Sequence, residues 1–421
     1  MANIGRIDII KISSPVSSNY LQFGQSISMW GNYIAIGAAL DRNNAAVRTG
    51  AVYLYEKDGT YVRKIVPSDG VVNGYFGISV CLFEDYLIVG SHGKNNRAGC
   101  IYLYKISDTS FEDIETFTAV ANSYFGWRVK IYNGTIIASA PYSENTEGRV
   151  CVYSYDSLGM TFSHQIIASD ATWGDRFGYA IDLLDDNIIV TAPSQEYPEP
   201  NPSEDTIWID PYTFYEGPNP RAYLYKVSDN TYERIIYPSS FSYDSKFGQS
   251  CAMYGDTILV GEPRARDYEN RAMGALNFFS ISDSSYSKKI FDTFNVSSGP
   301  LSSSYFSYRL SVTADYIFVG DTQYNSNGNI VGCVAIFDYN EKLLGRITTD
   351  QVSNNSEFSY GLCSYGPYIG ITAPLDSYSD YTNIGSAFVL RMDGDTSFPT
   401  ETTTLQMIDY YKGLGGQSSD E

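Results

Sequence analysis

The chain has 421 residues, 43% hydrophobic and only 18% charged, with 38 Tyr and 36 Gly, which fits a β-rich globular core and excludes a disordered polymer. A formal net charge of −20 excludes a duplex-binding surface, because displacing counterions from nucleic acid needs clustered Lys and Arg. No stretch approaches the roughly 18 apolar residues of a membrane helix, and the opening MANIGRIDIIKISS has no basic, then apolar, leader; the expectation is a chain made in a cytoplasm without a signal peptide or membrane insertion.

In chain order, RIDIIKI (6–12) reads as a lone outer strand. A Phe-Gly or Phe-Ser pair then recurs seven times, at Phe23, Phe76, Phe125, Phe177, Phe247, Phe306 and Phe358. Fourteen residues after each Phe stands a small residue: Gly37, Gly90, Ser139, Thr191, Gly261, Gly320 and Thr372. Between them lie an alternating strand (Ile27 and Met29; Val80 and Leu82), a polar turn such as Glu84-Asp85 or Asp185-Asp186, and an apolar run such as YLIVG (86–90). A third strand follows, often opened by Gly, as in GAVYLY (50–55) and GCIYLY (99–104). A more polar fourth strand is predicted at 61–66, 164–169, 232–237, 286–291 and 342–347.

Seven units of four antiparallel strands predict an all-β fold, a seven-bladed β-propeller over residues 1–392. The seventh unit ends at its third strand, SAFVLRM (386–392), so strand 6–12 is expected to complete it and close the ring.

Two segments depart from the repeat. The fourth unit carries a long insert, 194–220, with six Pro, six acidic residues and the aromatics Tyr197, Trp208, Tyr212, Phe214 and Tyr215. It is a candidate ligand or partner loop, or else a structural lid over its own blade. The tail 393–421 contains LQMIDYY, and Leu405, Met407, Ile408, Tyr410 and Tyr411 make it a candidate docking peptide; the alternative is a disordered end.

Reactive residue types are sparse. His92 and His164 fall in different units and read as surface histidines. Cys81, Cys251 and Cys363 fall on first strands and Cys100, Cys151 and Cys333 on third strands; Cys81 and Cys100 share a blade but sit two strands apart, too far for a disulfide, and all six read as buried free thiols of a reducing compartment. No H-E-x-x-H, C-x-x-C, G-x-S-x-G or Walker sequence is present. No catalytic residue, metal or cofactor is expected.

The units resemble the FG-GAP repeat, named for a Phe-Gly pair and a following Gly-Ala-Pro, seen here as FGISV (76–80), SAP (139–141), TAP (191–193), GEP (261–263) and TAP (372–374). The resemblance implies the propeller and a binding role. It also implies Ca²⁺ loops between first and second strands, but those connections are too short here and lack a D-x-D-x-D-G pattern. The leading expectation is therefore a non-enzymatic component of a larger assembly such as a virus or phage particle, structural or host-adhesive, with other assembly proteins or a cell-surface glycan or protein as partner. The alternative is a stand-alone carbohydrate- or protein-binding module. A hydrolase or lyase with its site at the ring centre stands third.

Overall fold

Each Phe-Gly or Phe-Ser pair opens a four-stranded antiparallel sheet, and seven such sheets form the blades of a ring. In blade one the strands are Ser26–Trp30, Tyr33–Ala38, Ala51–Glu56 and Tyr61–Ile65, paired in that order. Blade seven takes Leu362–Tyr365, Tyr368–Ala373 and Ser386–Arg391, and its fourth strand is Asp8–Ser13. Asp8 pairs with Arg391 and Ser13 with Ser386, so the expected N-terminal strand does close the ring. The first strands pack side by side around the centre, Leu362–Tyr365 returning against Ser26–Trp30. The structure is a computed structural model that describes residues 8–16, 20–43, 48–107, 115–118, 122–157, 159–193, 219–229, 231–239, 245–267, 273–292, 305–326, 329–378 and 381–392.

The constant offset of fourteen has a hydrogen-bond cause. In six blades the residue after the Phe donates its N–H to the carbonyl of the small residue, as from Gly24 to Gly37 (2.9 Å), Gly126 to Ser139 (3.0 Å) and Ser359 to Thr372 (3.0 Å). That bond closes a hairpin of fixed length, so an inserted residue would break it. The Phe side chains are buried and meet third-strand aromatic rings, edge-on in six blades, as in Phe23 to Tyr53 at 5.5 Å, Phe76 to Tyr102 at 5.2 Å and Phe358 to Phe388 at 5.4 Å. In six blades a Gly opens the third strand and makes room for the next Phe; blade four has Pro220 there. A Cβ on Gly385, at φ +88°, would lie 2.0 Å from the Phe23 carbonyl oxygen.

Fourth strands are where the sequence reading drifts. That of blade three is Gly159–Ile166, not 164–169, because Asp156 and Gly159 pair across a two-residue turn. Blade two has a fourth strand, Glu115–Thr118, that carries too little apolar pattern to stand out. Polar turns between first and second strands do structural work: Asp85, Asp186 and Asp256 accept backbone N–H bonds from Ser107 (2.8 Å), Ser228 (2.7 Å) and Ser282 (2.9 Å) at the exits of third strands.

Six blades are also pinned by buried ion pairs. Lys64 meets Asp41 (2.7 Å) in blade one, Lys94 meets Asp69 in blade two, and Arg221 meets Asp170 (3.0 Å) and Asp175 (2.9 Å) in blade four. Lys289–Glu262 (2.8 Å), Arg346–Asp292 and Lys11–Asp376 (3.2 Å) do the same in blades five, six and seven. Polar third-strand side chains complete several of them: Tyr53 and Tyr102 donate to Asp41 (2.5 Å) and Asp69 (2.8 Å), and Ser386 to Asp376 (2.8 Å).

Candidate functional site

A cavity of about 370 Å³ runs along the ring axis, lined by all seven first strands. Each first strand enters at the Phe-Gly side and leaves at the turn side, so its residues form successive tiers. The second residue after each Phe stands at the Phe-Gly end: Gln25, Ile78 and Gln249 line the cavity mouth, and Trp127, Tyr179, Tyr308 and Tyr360 hold the same repeat position. Trp127 Nε1 donates to the Tyr179 carbonyl (3.2 Å), Gln25 Nε2 to the Tyr360 hydroxyl (3.1 Å), and Tyr308 and Tyr360 pack at 5.8 Å.

The next tier explains itself blade by blade. Ser26, Ser79 and Ser250 each donate a hydroxyl to a backbone carbonyl of the following blade, at Gly77 (2.8 Å), Gly126 (3.0 Å) and Ser307 (2.7 Å). Each faces a Gly at the small position, where a Cβ would collide: on Gly37 it would lie 2.3 Å from the Ser26 oxygen. In blades four and seven the roles swap: Thr191 and Thr372 donate to Gly248 and Gly24 (both 2.7 Å), opposite Ala180 and Gly361. Blades three and six place Arg128 and Arg309 in this tier instead.

Both arginines line the cavity. The Arg128 guanidinium lies 5.3 Å from the Trp127 ring and donates to the Trp127 carbonyl (3.0 Å). Arg309 lies 4.6 Å from the Tyr308 ring and 5.1 Å from that of Tyr360, and donates to the Tyr308 carbonyl (3.1 Å). Neither is ion-paired with a carboxylate among the described residues. Burial and the like charge of Arg309 pull the Arg128 pKa below the ordinary arginine value. Glu357 is the acidic group that Arg309 feels; its carboxyl is raised by burial, against the pull of that guanidinium.

His92 backs this corner and is not a surface residue. It is 8% exposed and packs on Trp127 (5.3 Å), Tyr75 (5.1 Å) and Tyr124 (5.5 Å), with Nδ1 unpaired. Burial and the nearby Arg128 push its pKa down to about 4, so it is neutral at ordinary pH.

Deeper in the channel Lys130 pairs with Asp182 (2.7 Å), whose other oxygen accepts the Met253 N–H (2.8 Å), joining blades three, four and five. Burial alone would lower the Lys130 pKa, but the Asp182 carboxylate outweighs it and raises the value. Cys81, Cys251 and Cys363 flank the channel half-buried rather than fully buried, and burial raises each thiol pKa. All six cysteines are free. The far end is belted by Trp30, which packs on Phe83 (4.4 Å) and Tyr365 (4.9 Å), and by Tyr132. The channel is thus cationic at its Phe-Gly mouth and aromatic at its turn side.

The residues singled out from sequence lie elsewhere. Tyr197, Trp208, Tyr212, Phe214 and Tyr215 fall outside the described residues, as do Leu405, Met407, Ile408, Tyr410 and Tyr411. The described ends of the long insert, at Ala192 and Arg221, place its attachment on the Phe-Gly side. No helix among the described residues is long and apolar enough to cross a membrane.

A family model described as the FG-GAP repeat matches residues 9–55 and 60–104, the first two of the seven units. No curated protein matches the chain. The chain is thus a seven-bladed β-propeller that contains FG-GAP repeats at its start and carries the same Phe-headed unit through every blade.

Proposed function

We infer that the chain is a non-enzymatic binding and structural propeller, a component of a larger assembly such as a virus or phage particle with a structural or host-adhesive role. The observation that carries this reading is the rim. Exposed apolar side chains gather on or beside the outer strands: Tyr61 (47%), Val62 and Val66 in blade one, Phe162 (49%) and Ile167 in blade three, Tyr237 (54%) in blade four and Tyr286 in blade five. An outer strand carries the unpaired edge of its blade that faces away from the channel, and apolar residues there suit a protein neighbour better than water.

Two further features support it. Asp8–Ser13 supplies the fourth strand of blade seven, which the four-strand pattern therefore does not require from 393–421, the candidate docking peptide. Free thiols suit folding in a reducing cytoplasm before incorporation into a particle. Against an enzyme, Asp182 is the lone carboxylate among the described residues lining the channel, and it is engaged with Lys130 and the Met253 N–H.

The test compares the full chain, a 1–392 truncation and the rim variant V62K/V66K/F162K by sedimentation, each alone and in lysate of the source cell. The expected result is a full chain that co-sediments with a particle, and a truncation and rim variant that do not. A full chain that stays a lone monomer in that lysate overturns the reading. The stand-alone binding alternative is favoured by a different observation, the cationic channel mouth.

A further inference from the structure

We propose that the Phe-Gly mouth of the channel is a binding site for a carboxylated sugar residue, with Arg128 and Arg309 holding the carboxylate. The inference goes beyond the assembly reading and does not depend on it.

In a chain of net charge −20, two guanidiniums converge on one cavity with no ion-paired carboxylate among the described residues. Elsewhere in the ring, the cations of the ion pairs described above are met by a carboxylate of their own blade or its flanking loop or, for Lys130, of the next blade. Like charges held together in a partly dehydrated site are unfavourable unless an anion sits between them. The same repeat position is filled in other blades by Ser, Ala or Gly, so the ring does not need arginine there to close. Two forked donors suit a planar oxyanion held by parallel hydrogen bonds.

The surroundings narrow the class. A cavity of about 370 Å³ admits a monosaccharide and not a folded domain. Around the arginines stand neutral groups matched to sugar hydroxyls: the Gln25 amide beside the Tyr360 hydroxyl (3.1 Å) and the Gln249 amide beside the Tyr179 hydroxyl (3.5 Å). Trp127, Tyr308 and Tyr360 back the two guanidiniums at 5.3, 4.6 and 5.1 Å and hold them at the mouth. His92, neutral and buried, packs on the ring of Trp127 with its Nδ1 unpaired.

The experiment titrates the full chain with glucuronate and with N-acetylneuraminate, following the indole N–H resonance of Trp127 by NMR, with glucose and poly-L-glutamate as comparisons. Both acidic sugars are expected to bind saturably and move that resonance, and glucose to leave it unmoved. Arg128→Gln and Arg309→Gln are each expected to weaken binding about tenfold or more, a loss of about 1.4 kcal/mol. Absence of saturable binding by both acids overturns the proposal. So does binding that ignores both variants, or that leaves the Trp127 resonance unmoved in the parent chain, a readout that stands even if a variant fails to fold. Poly-L-glutamate binding in place of the sugars would assign the mouth to an acidic protein and overturn it too. The assembly test reads the rim and the tail, so either idea can fail while the other stands.

Discussion

The blades and the channel mouth handle buried cations in opposite ways. In blade four, Arg221 is met by Asp170 and Asp175, and Tyr223 donates to Asp170 (2.7 Å). At the mouth, Arg128 and Arg309 rest on aromatic faces and backbone carbonyls, with no ion pair among the described residues and Glu357 the acidic group that Arg309 feels. The first arrangement is self-sufficient: it ties a loop, a third strand and the preceding connection into one unit, and its charges cancel within the fold. The second is incomplete, since aromatic stacking offsets part of the desolvation of a guanidinium but none of its charge. Cations neutralised in place hold the blades, and cations left bare are available to something outside the chain.

The largest expected effect breaks the first arrangement. Arg221→Met leaves Asp175, 1% exposed, without its cation and is expected to cost about 3–5 kcal/mol in urea unfolding. Adding Asp175→Asn should recover part of that loss, because the stranded charge goes with it. A single variant as stable as the parent would mean that the pair does not pin the blade.

The next effect is a pH dependence at the mouth. Folded His92 stays neutral down to about pH 4, whereas an unfolded imidazole takes its proton near pH 6.5. Between those values the unfolded chain binds the extra proton. Stability from this group is therefore complete above about pH 6.5 and is lost as pH falls towards 4, by about 3 kcal/mol at most. Asp321, raised to about 6 by burial and Asp292, works the other way and gains stability as pH falls through 6. The difference between the parent and His92→Phe isolates the histidine: it should shrink steadily from pH 6.5 to 4, and a constant difference would show that His92 is solvated.

How much of this could be read from the sequence follows the same division. Blade count, ring closure by residues 6–12 and the fourteen-residue offset were all legible, because a hairpin fixed by one backbone hydrogen bond cannot change length. Phe23, Gly24 and Gly37 carry that signal in a single blade, and repetition makes it unmistakable. The fourth strand of blade three was misplaced by five residues because an exposed edge imposes little apolar pattern. The ion pairs were invisible, since Asp170 and Arg221 are 51 residues apart in chain and only the closed blade joins them. The arginine tier was in principle readable. Aligning the seven units places Ser26, Ser79, Arg128, Ala180, Ser250, Arg309 and Gly361 in one column, where two long cations among small residues stand out. His92 was misread because a loop position says nothing about the rings of the neighbouring blade that bury it.

The joints between blades offer a smaller effect. Thr372 Oγ1 donates to the Gly24 carbonyl (2.7 Å) and accepts the Gly361 N–H (2.9 Å) at the seam between blades seven and one. Thr191 makes the same two bonds to Gly248 (2.7 Å) and Ala180 (3.0 Å) at an interior joint. Thr372→Val and Thr191→Val should each cost about 1–3 kcal/mol by leaving buried backbone groups unpaired. Equal effects on the unfolding rate would mean that the closing seam is an ordinary joint. A faster rate for Thr372→Val alone would identify it as the place where the ring opens.

The smallest effect is the one that tests the mouth most directly. Arg128→Met removes a ring contact and a hydrogen bond, together about 1–2 kcal/mol, but it also removes the repulsion from Arg309. The two nearly cancel, so the variant should unfold within about 0.5 kcal/mol of the parent in dilute buffer. The sign of the coupling is the sharper quantity. If the guanidiniums repel, removing the second arginine in Arg128→Met/Arg309→Met should cost more than removing it from the parent, because the relief has already been taken. A loss of several kcal/mol from Arg128→Met alone would place this arginine with Arg221, among the cations that hold the fold, and the contrast between blade and mouth would disappear.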